Sequence, residues 1–166
     1  MKQLQLINDD WLGHVEHLRH ACRGIVVKDG KVLLSYEEKQ DQYLIPGGGV
    51  EEGETLEECC IREVLEETGI AVKPVDYYLE IEELFCDWRH INHYFVCEVV
   101  EDTGKPHLTE GEAQVGCTHV WLPFDEIVEI FGRFEEYRAT DVPRYGLYKR
   151  EGVAIREYLA LNGAKE

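Results

Sequence analysis

Three glutamates, Glu63, Glu66 and Glu67, crowd one short stretch beside Arg62. A helix turns by about 100° per residue. With Arg62 at zero, Glu66 falls at roughly 40°, Glu63 at roughly 100° and Glu67 at roughly 140°. The three carboxylates then share one arc, next to an apolar stripe of Cys60, Ile61, Val64, Leu65 and Thr68 that is expected to face the core. Like charges at that spacing repel. Glu66 and Glu67 also stand near the helix C-terminus, where the helix dipole disfavours anions. A cation would resolve both conflicts, and hard oxygen ligands suit Mg²⁺ or Mn²⁺. The plainer alternative is a solvated acidic face paired with Arg62 or a distant lysine. A glycine run, Gly47-Gly48-Gly49, precedes this helix after Pro46. Glycine reaches backbone conformations closed to other residues and lets a backbone carbonyl or amide approach a metal or phosphate. Here too a tight turn is the plainer reading.

The elements that must position these groups are legible as alternating patterns. Residues 20–28 and 31–36 predict two strands, and Asp29-Gly30 between them is a two-residue hairpin signal. Tyr43-Leu44-Ile45 predicts a short strand, ended by Pro46, with the three glycines opening a loop. Residues 55–68 predict the helix, closed by Gly69 as its capping glycine. Residues 76–86 and 91–100 predict a long meander, turning at Asp87–His90. A polar loop is expected from Glu101 to Gly116, then a strand over 118–122, a helix over 126–131 and a helical tail over 143–161. Strands mixed with a few helices point to an α+β fold, an α/β/α sandwich with a mixed sheet between helices. The 166 residues are read as one domain, with its core at about 20–131.

Composition limits the partners. Acidic residues number 34 against 17 basic ones, a formal net charge of -17. Extended nucleic acid and anionic membrane surfaces call for a basic patch, and no run of four Lys or Arg occurs. A small phosphorylated ligand stays possible if a cation screens it. The six cysteines form no Cys-x-x-Cys pair, so a thiolate zinc site is not signalled. They read as small buried residues of a reducing compartment. No apolar run is long enough for a transmembrane helix, and no apolar leader follows Met1. The cytoplasm is the expected location.

From Gly48 to Ile70 the sequence reads GGVEEGETLEECCIREVLEETGI. It fits the pattern G-x5-E-x7-R-E-U-x-E-E-x-G-U, with U a bulky aliphatic, at Gly48, Glu54, Arg62, Glu63, Val64, Glu66, Glu67, Gly69 and Ile70. The chain therefore resembles the Nudix hydrolases. The likeness extends more weakly over residues 20–131, through Ile45-Pro46-Gly47-Gly48 and Val120–Ile127. It implies the Nudix fold and metal-dependent cleavage of a phosphoanhydride bond in a nucleotide-like diphosphate. Carried over position by position, it makes Glu63, Glu66, Glu67 and the carbonyl of Gly48 the candidate ligands of Mg²⁺ or Mn²⁺. Arg62 would orient a ligating glutamate, and Glu54 would be structural or support the ligands from behind. The general base in this family is either a box glutamate, here Glu63 or Glu66, or one from a downstream loop, here Glu112 ahead of Glu110.

Substrate contacts are less specified. Gly47 and Gly48 could approach the phosphates. Tyr43, Phe85 and Trp88 could stack on a base, although core packing is the plainer role of each. Arg23, Lys39 and Arg89 could meet phosphate, and the scattered histidines, His90 and His93 included, receive no role. Nudix enzymes for ADP-ribose often carry a proline about fifteen residues after the box. None occurs here between Pro74 and Pro106, which weighs against that substrate. Two other readings stay open. One is a Nudix-fold binding or regulatory module without turnover, which would fit the gathering of Arg133, Arg138, Arg144, Lys149, Arg150 and Arg156. The other is an isomerase of an isoprenoid diphosphate. A homodimer through the segment around Trp11 or the C-terminal helix is possible in such a family.

Overall fold

The computed structural model describes residues 1–163. Eight strands form one mixed sheet: β1 (Lys2–Ile7), β2 (His17–Lys28), β3 (Lys31–Glu37), β4 (Gln42–Leu44), β5 (Gly47–Gly49), β6 (Ile70–Phe85), β7 (Trp88–Asp102) and β8 (Cys117–Pro123). The order along its main path is β1-β6-β7-β2-β3-β4; β5 pairs with β2, and β8 with β3. The β1–β6 and β2–β7 pairs are parallel and the others antiparallel. The helices are α1 (Leu56–Thr68), α2 (Glu110–Gln114), α3 (Phe124–Gly132) and α4 (Val142–Gly163).

The layers follow from the two-residue alternation of the strands. Cys22, Val26, Leu33, Phe95 and Cys97 point to one face and pack on Cys59, Cys60 and Val64 of α1. Ile25, Val32, Leu34 and Tyr94 point to the other and pack on Ile127 and Phe131 of α3 and Tyr148 and Ile155 of α4. This is the expected α+β sandwich. The Asp29-Gly30 hairpin forms as read: Lys28 pairs with Lys31, and both turn residues have positive φ, 51° and 72°, which is the backbone of a two-residue primed turn.

Four local readings are corrected. The glycine run is strand β5 and not a loop. None of Gly47, Gly48 and Gly49 has a positive φ, so freedom of φ is not what these positions need. They need room, because β5 lies flush against β2 and α1. A Cβ on Gly47 would overlap the carbonyl of Cys22, and one on Gly48 would overlap the Glu63 carboxylate. The meander is longer than read and turns at Cys86-Asp87, where Cys86 takes φ 47°. The polar loop contains α2, started by a capping box in which Thr109 and Glu112 exchange hydrogen bonds. Strand β1 was not expected from the sequence at all.

Both termini of α1 are fixed by local chemistry. Thr55 caps the start, accepting from the Glu58 amide while the Glu58 side chain accepts from Thr55. Gly69 ends it at φ 74°, and its amide donates to the Leu65 carbonyl.

Candidate functional site

The inward arc of α1 is not the one expected. Cys59, Cys60, Val64 and Thr68 are buried, while Ile61 is exposed. The packed face therefore rotates toward the acids. The side chain of Glu63 is only 16% exposed, against 37% for Glu66. Carboxylates held there need partners, and each has them. Ser35 on β3 donates to Glu67 at 2.7 Å, and the Gly47 amide donates at 3.4 Å. Arg62 NH1 donates to Glu63 at 2.7 Å and to Glu66 at 3.3 Å. Its Nε and NH2 grip Glu54 in a fork, at 2.6 and 2.9 Å, and NH2 also reaches the Gly49 carbonyl at 3.1 Å. One guanidinium thus joins the loop before α1, strand β5 and two glutamates of the helix.

The electrostatics divide the acids. The Arg62 fork holds Glu54 down to a pKa of about 2. Burial pushes Glu67 up to about 8, with Glu112 and Glu63 adding to the rise and Ser35 and Arg23 opposing it. Glu63 is raised by burial too, against the pull of Arg62. Glu112 belongs to this neighbourhood: its field is felt at Glu63, Glu67 and Glu37. One of its oxygens is taken by Thr109 in the capping box, and the other is buried with no partner. Glu110, its rival, is exposed at the first position of α2. A second cation approaches from β2. Arg19 lies against Gly49, its Nε 3.5 Å from where a Cβ would stand, and Glu63 is the carboxylate whose field supports its charge.

Glu63, Glu66, Glu67, Arg62, Gly47, Gly48 and Glu112 are thus brought together. Arg23 lies just behind them, buried. Its Nε donates to Asn92 at 3.0 Å and its NH1 to the Ile45 carbonyl at 3.3 Å. Tyr43 is not brought there: it pairs with Tyr36 and packs against the α3–α4 core, on the sheet face opposite Ser35. Phe85 and Trp88 stack on each other at the far hairpin, and Arg89 pairs with Glu82. Several of the basic residues gathered late in the chain are spent inside the molecule: Arg138 on Asp9, Arg133 on Glu129, Arg144 on Asp141. Arg150 is buried between Glu83 and Glu151.

Sequence reasoning missed Arg19, Ser35, Asn92 and Glu151. Glu151 is fully buried in α4, accepts from the Ile45 amide at 2.9 Å and from Tyr94 at 3.0 Å, and so anchors the approach to β5. Its neighbour Arg150 shared a sequence pattern with an ordinary solvated tail. Only its place beside Tyr148, Ala154 and Ile155 on the packed side could have hinted at burial.

The NUDIX domain profile matches residues 18–142. The chain belongs to the Nudix family. An ADP-ribose pyrophosphatase of Methanocaldococcus jannaschii is 43% identical over 60 residues, 34% of this chain and 36% of that one. An RNA pyrophosphohydrolase of Dinoroseobacter shibae is 30% identical over 120 residues, 70% of this chain and 71% of that one. The chain thus spans about a third of the archaeal relative's length. Among solved structures, a Nudix hydrolase of Nitrosomonas europaea superposes with a TM-score of 0.57 at 25% identity, over 66% of this chain and 74% of that one. Nudix membership accounts for the sandwich and for the box on α1. No helix among the described residues is long and apolar enough to cross a membrane.

Proposed function

We propose that this Nudix protein hydrolyses a phosphoanhydride bond in a nucleotide-like diphosphate, using a divalent cation, Mg²⁺ or Mn²⁺. The observation that carries the reading is the enclosure of Glu67 and Glu63 beside the partnerless oxygen of Glu112. Three acids are held close in a half-buried site, and of them Arg62 bonds only Glu63. Such a donor set is all oxygen, which suits a hard cation. Gly48 adds backbone close to Glu63, because no side chain keeps the two apart. Among the described residues no three acids are already drawn into a closed ligand shell; Arg62 holds Glu63 and Glu66.

Glu63, Glu66, Glu67 and the Gly48 carbonyl would hold the cation. Once bound, a divalent ion neutralises diphosphate oxygens and lowers the pKa of a water. The rest is the work of the chain. Arg62, fixed by Glu54, sets the rotamers of Glu63 and Glu66. Ser35 orients Glu67. Glu112 takes the proton of the attacking water on its unpartnered oxygen, a role that its enclosure favours over Glu110. Arg19 meets the substrate's negative charge at β5. Arg23 supports Ile45 and the turn into Gly47 and does so from behind the substrate.

The test is a phosphate-release screen with Mg²⁺ or Mn²⁺ over nucleoside triphosphates, nucleotide sugars and dinucleoside polyphosphates, with Glu67→Gln as blank. Hydrolysis of one class, lost in the variant, supports the reading. Tight nucleotide binding without release across the panel would overturn it in favour of a binding module.

A further inference from the structure

Strand β3 lies between β4 and β8, and the register of the three strands sets two rows across them on the face that carries Ser35. The inner row is Leu44, Ser35 and His119; the outer row is Gln42, Glu37 and Cys117. Residues two apart on a strand share a face. The rows stand roughly 6.6 Å apart, and neighbouring strands about 4.8 Å apart. Together they floor a patch of sheet on the order of 10 Å wide. Ser35 donates to Glu67, so the inner row touches the carboxylate site directly. The outer row feels the same acids, because the fields of Glu67, Glu112 and Glu37 converge on Cys117. Glu37, Gln42, Leu44 and His119 are half-buried.

Glu37 is the charged member of these rows. Among the described residues the one hydrogen bond to its carboxylate comes from the Gln42 side chain, Nε2 to Oε2 at 3.2 Å. Burial raises its carboxyl, and the field of Glu112 adds to the rise while Gln42 and Arg144 oppose it. Its Oε1 accepts nothing among the described residues. An ionised carboxylate can accept through both oxygens, so Glu37 has capacity to spare, one row from the catalytic acids.

A carboxylate there repels phosphate. A diphosphate held at α1 therefore turns its charged part away from the outer row, and the uncharged part of the substrate is what comes over β3. Leu44 offers that part an apolar surface, and Glu37 with the Gln42 amide offers it acceptors. A nucleoside brings donors to match in two places, the ribose hydroxyls and the amino-bearing edge of a base. We propose that Glu37 is the specificity-determining residue of this site, and that it recognises a nucleoside by accepting its O–H or N–H donors. This rests on the nucleotide-diphosphate reading above and adds to it the identity of the recognised group.

The binding test needs no hydrolysis. Nucleoside triphosphates with methylene bridges in place of the anhydride oxygens are titrated against the full chain with Mg²⁺ by calorimetry. They come in matched pairs: guanosine with inosine, cytidine with uridine, and each ribonucleoside with its 2′,3′-dideoxy form. In at least one pair the donor-bearing member should bind at least about tenfold tighter, the worth of one good hydrogen bond to a charged acceptor. The pair that shows it tells whether base or sugar is read. Glu37→Gln should erase most of that preference. Gln42→Met breaks the same cross-strand pair but leaves the carboxylate, so it should keep the preference. Equal loss in both variants would make the pair a clasp of the β3–β4 hairpin and overturn the proposal. So would failure of every analogue to bind at millimolar concentration, or a preference that is absent or indifferent to Glu37→Gln. Titration with Mn²⁺ alone should give the same affinity in Glu37→Gln as in the parent; a weaker one would make Glu37 a cation ligand instead. In parallel, hydrolysis of the natural triphosphates is measured. Turnover that ignores the pairs and the variant would sink nucleoside recognition by Glu37 and leave the hydrolase standing. Selective analogue binding without any turnover would do the reverse.

Discussion

Glu67 is asked to be an anion in a place that disfavours one. Burial lifts its pKa to about 8, and only Ser35 and the Gly47 amide hold it directly. Glu67→Gln keeps the shape and removes that conflict. Without added metal its thermal midpoint should rise, by an amount equivalent to about 1 kcal/mol, while turnover drops on the order of a hundredfold or more. Calorimetry and the phosphate assay on one preparation check both; a variant with full activity would remove Glu67 from the ligand set. Arg62 is the opposite kind of residue, since its fork on Glu54 is its strongest tie. Glu54→Gln should weaken that grip and lower kcat about tenfold, with KM changing less; steady-state kinetics of the variant decide it. The spacing of the box made these residues legible in the sequence. Their burial was not, because the helical wheel put Ile61 and Leu65 on the core side and the structure turns Glu63 and Glu67 inward instead. A wheel places residues relative to one another, but Ser35 and Gly48, on other strands, decide which arc can be closed over.

Among the elements, those with strong local punctuation were readable. The Asp29-Gly30 hairpin, the Thr55 cap and the Gly69 stop all lie within a few residues of what they shape. Strand β1 was hidden because its partner, Leu79–Leu84 of β6, lies more than seventy residues away along the chain. Strand β5 was hidden because three glycines carry no β signal; it forms only because β2 is there to pair with it. Space at these glycines is therefore a testable quantity. Gly47→Ala should destabilise the fold by about 1–3 kcal/mol, since its methyl would meet the Cys22 backbone. Gly48→Ala meets only a side chain, so its unfolding midpoint in urea should move less, while its activity falls because Glu63 is displaced. Equal losses of stability in both variants would contradict this account of β5.

At the scale of the whole molecule, α4 holds the sheet through charges sealed inside. Glu151 and Arg150 tie α4 to Ile45, Tyr94 and Glu83. Removing one partner strands the other, so Glu151→Gln should cost about 3–5 kcal/mol in urea unfolding, and Glu151→Met with Arg150→Met should recover part of it. His90 sits at the edge of this network and is kept neutral, its pKa pushed down to about 2 by burial first and then by Arg150, Arg23, Arg19 and His20. A histidine depressed on folding stabilises the protein above the unfolded value of 6.5 and loses that contribution as the pH falls. Between pH 7.5 and 5.5 its share of the loss is about 1.4 kcal/mol. Urea midpoints at the two pH values should show a smaller drop in His90→Asn than in the parent; an unchanged drop would assign the acid sensitivity to other groups. None of this network was legible beforehand, because a charged pair inside a helix has the same sequence signature whether it faces water or core.

Strand β2 carries two sets of duties on alternate residues. Cys22 and Val26 pack under the glutamate helix, and Arg23 and Ile25 face α4. A single inserted residue between His17 and Val26 would exchange the two sets along everything beyond it, placing an arginine beneath α1 and a thiol against α4. Individual side chains on this strand can change one at a time, but its length cannot. Insertions and deletions that leave both chemistries working belong outside this strand.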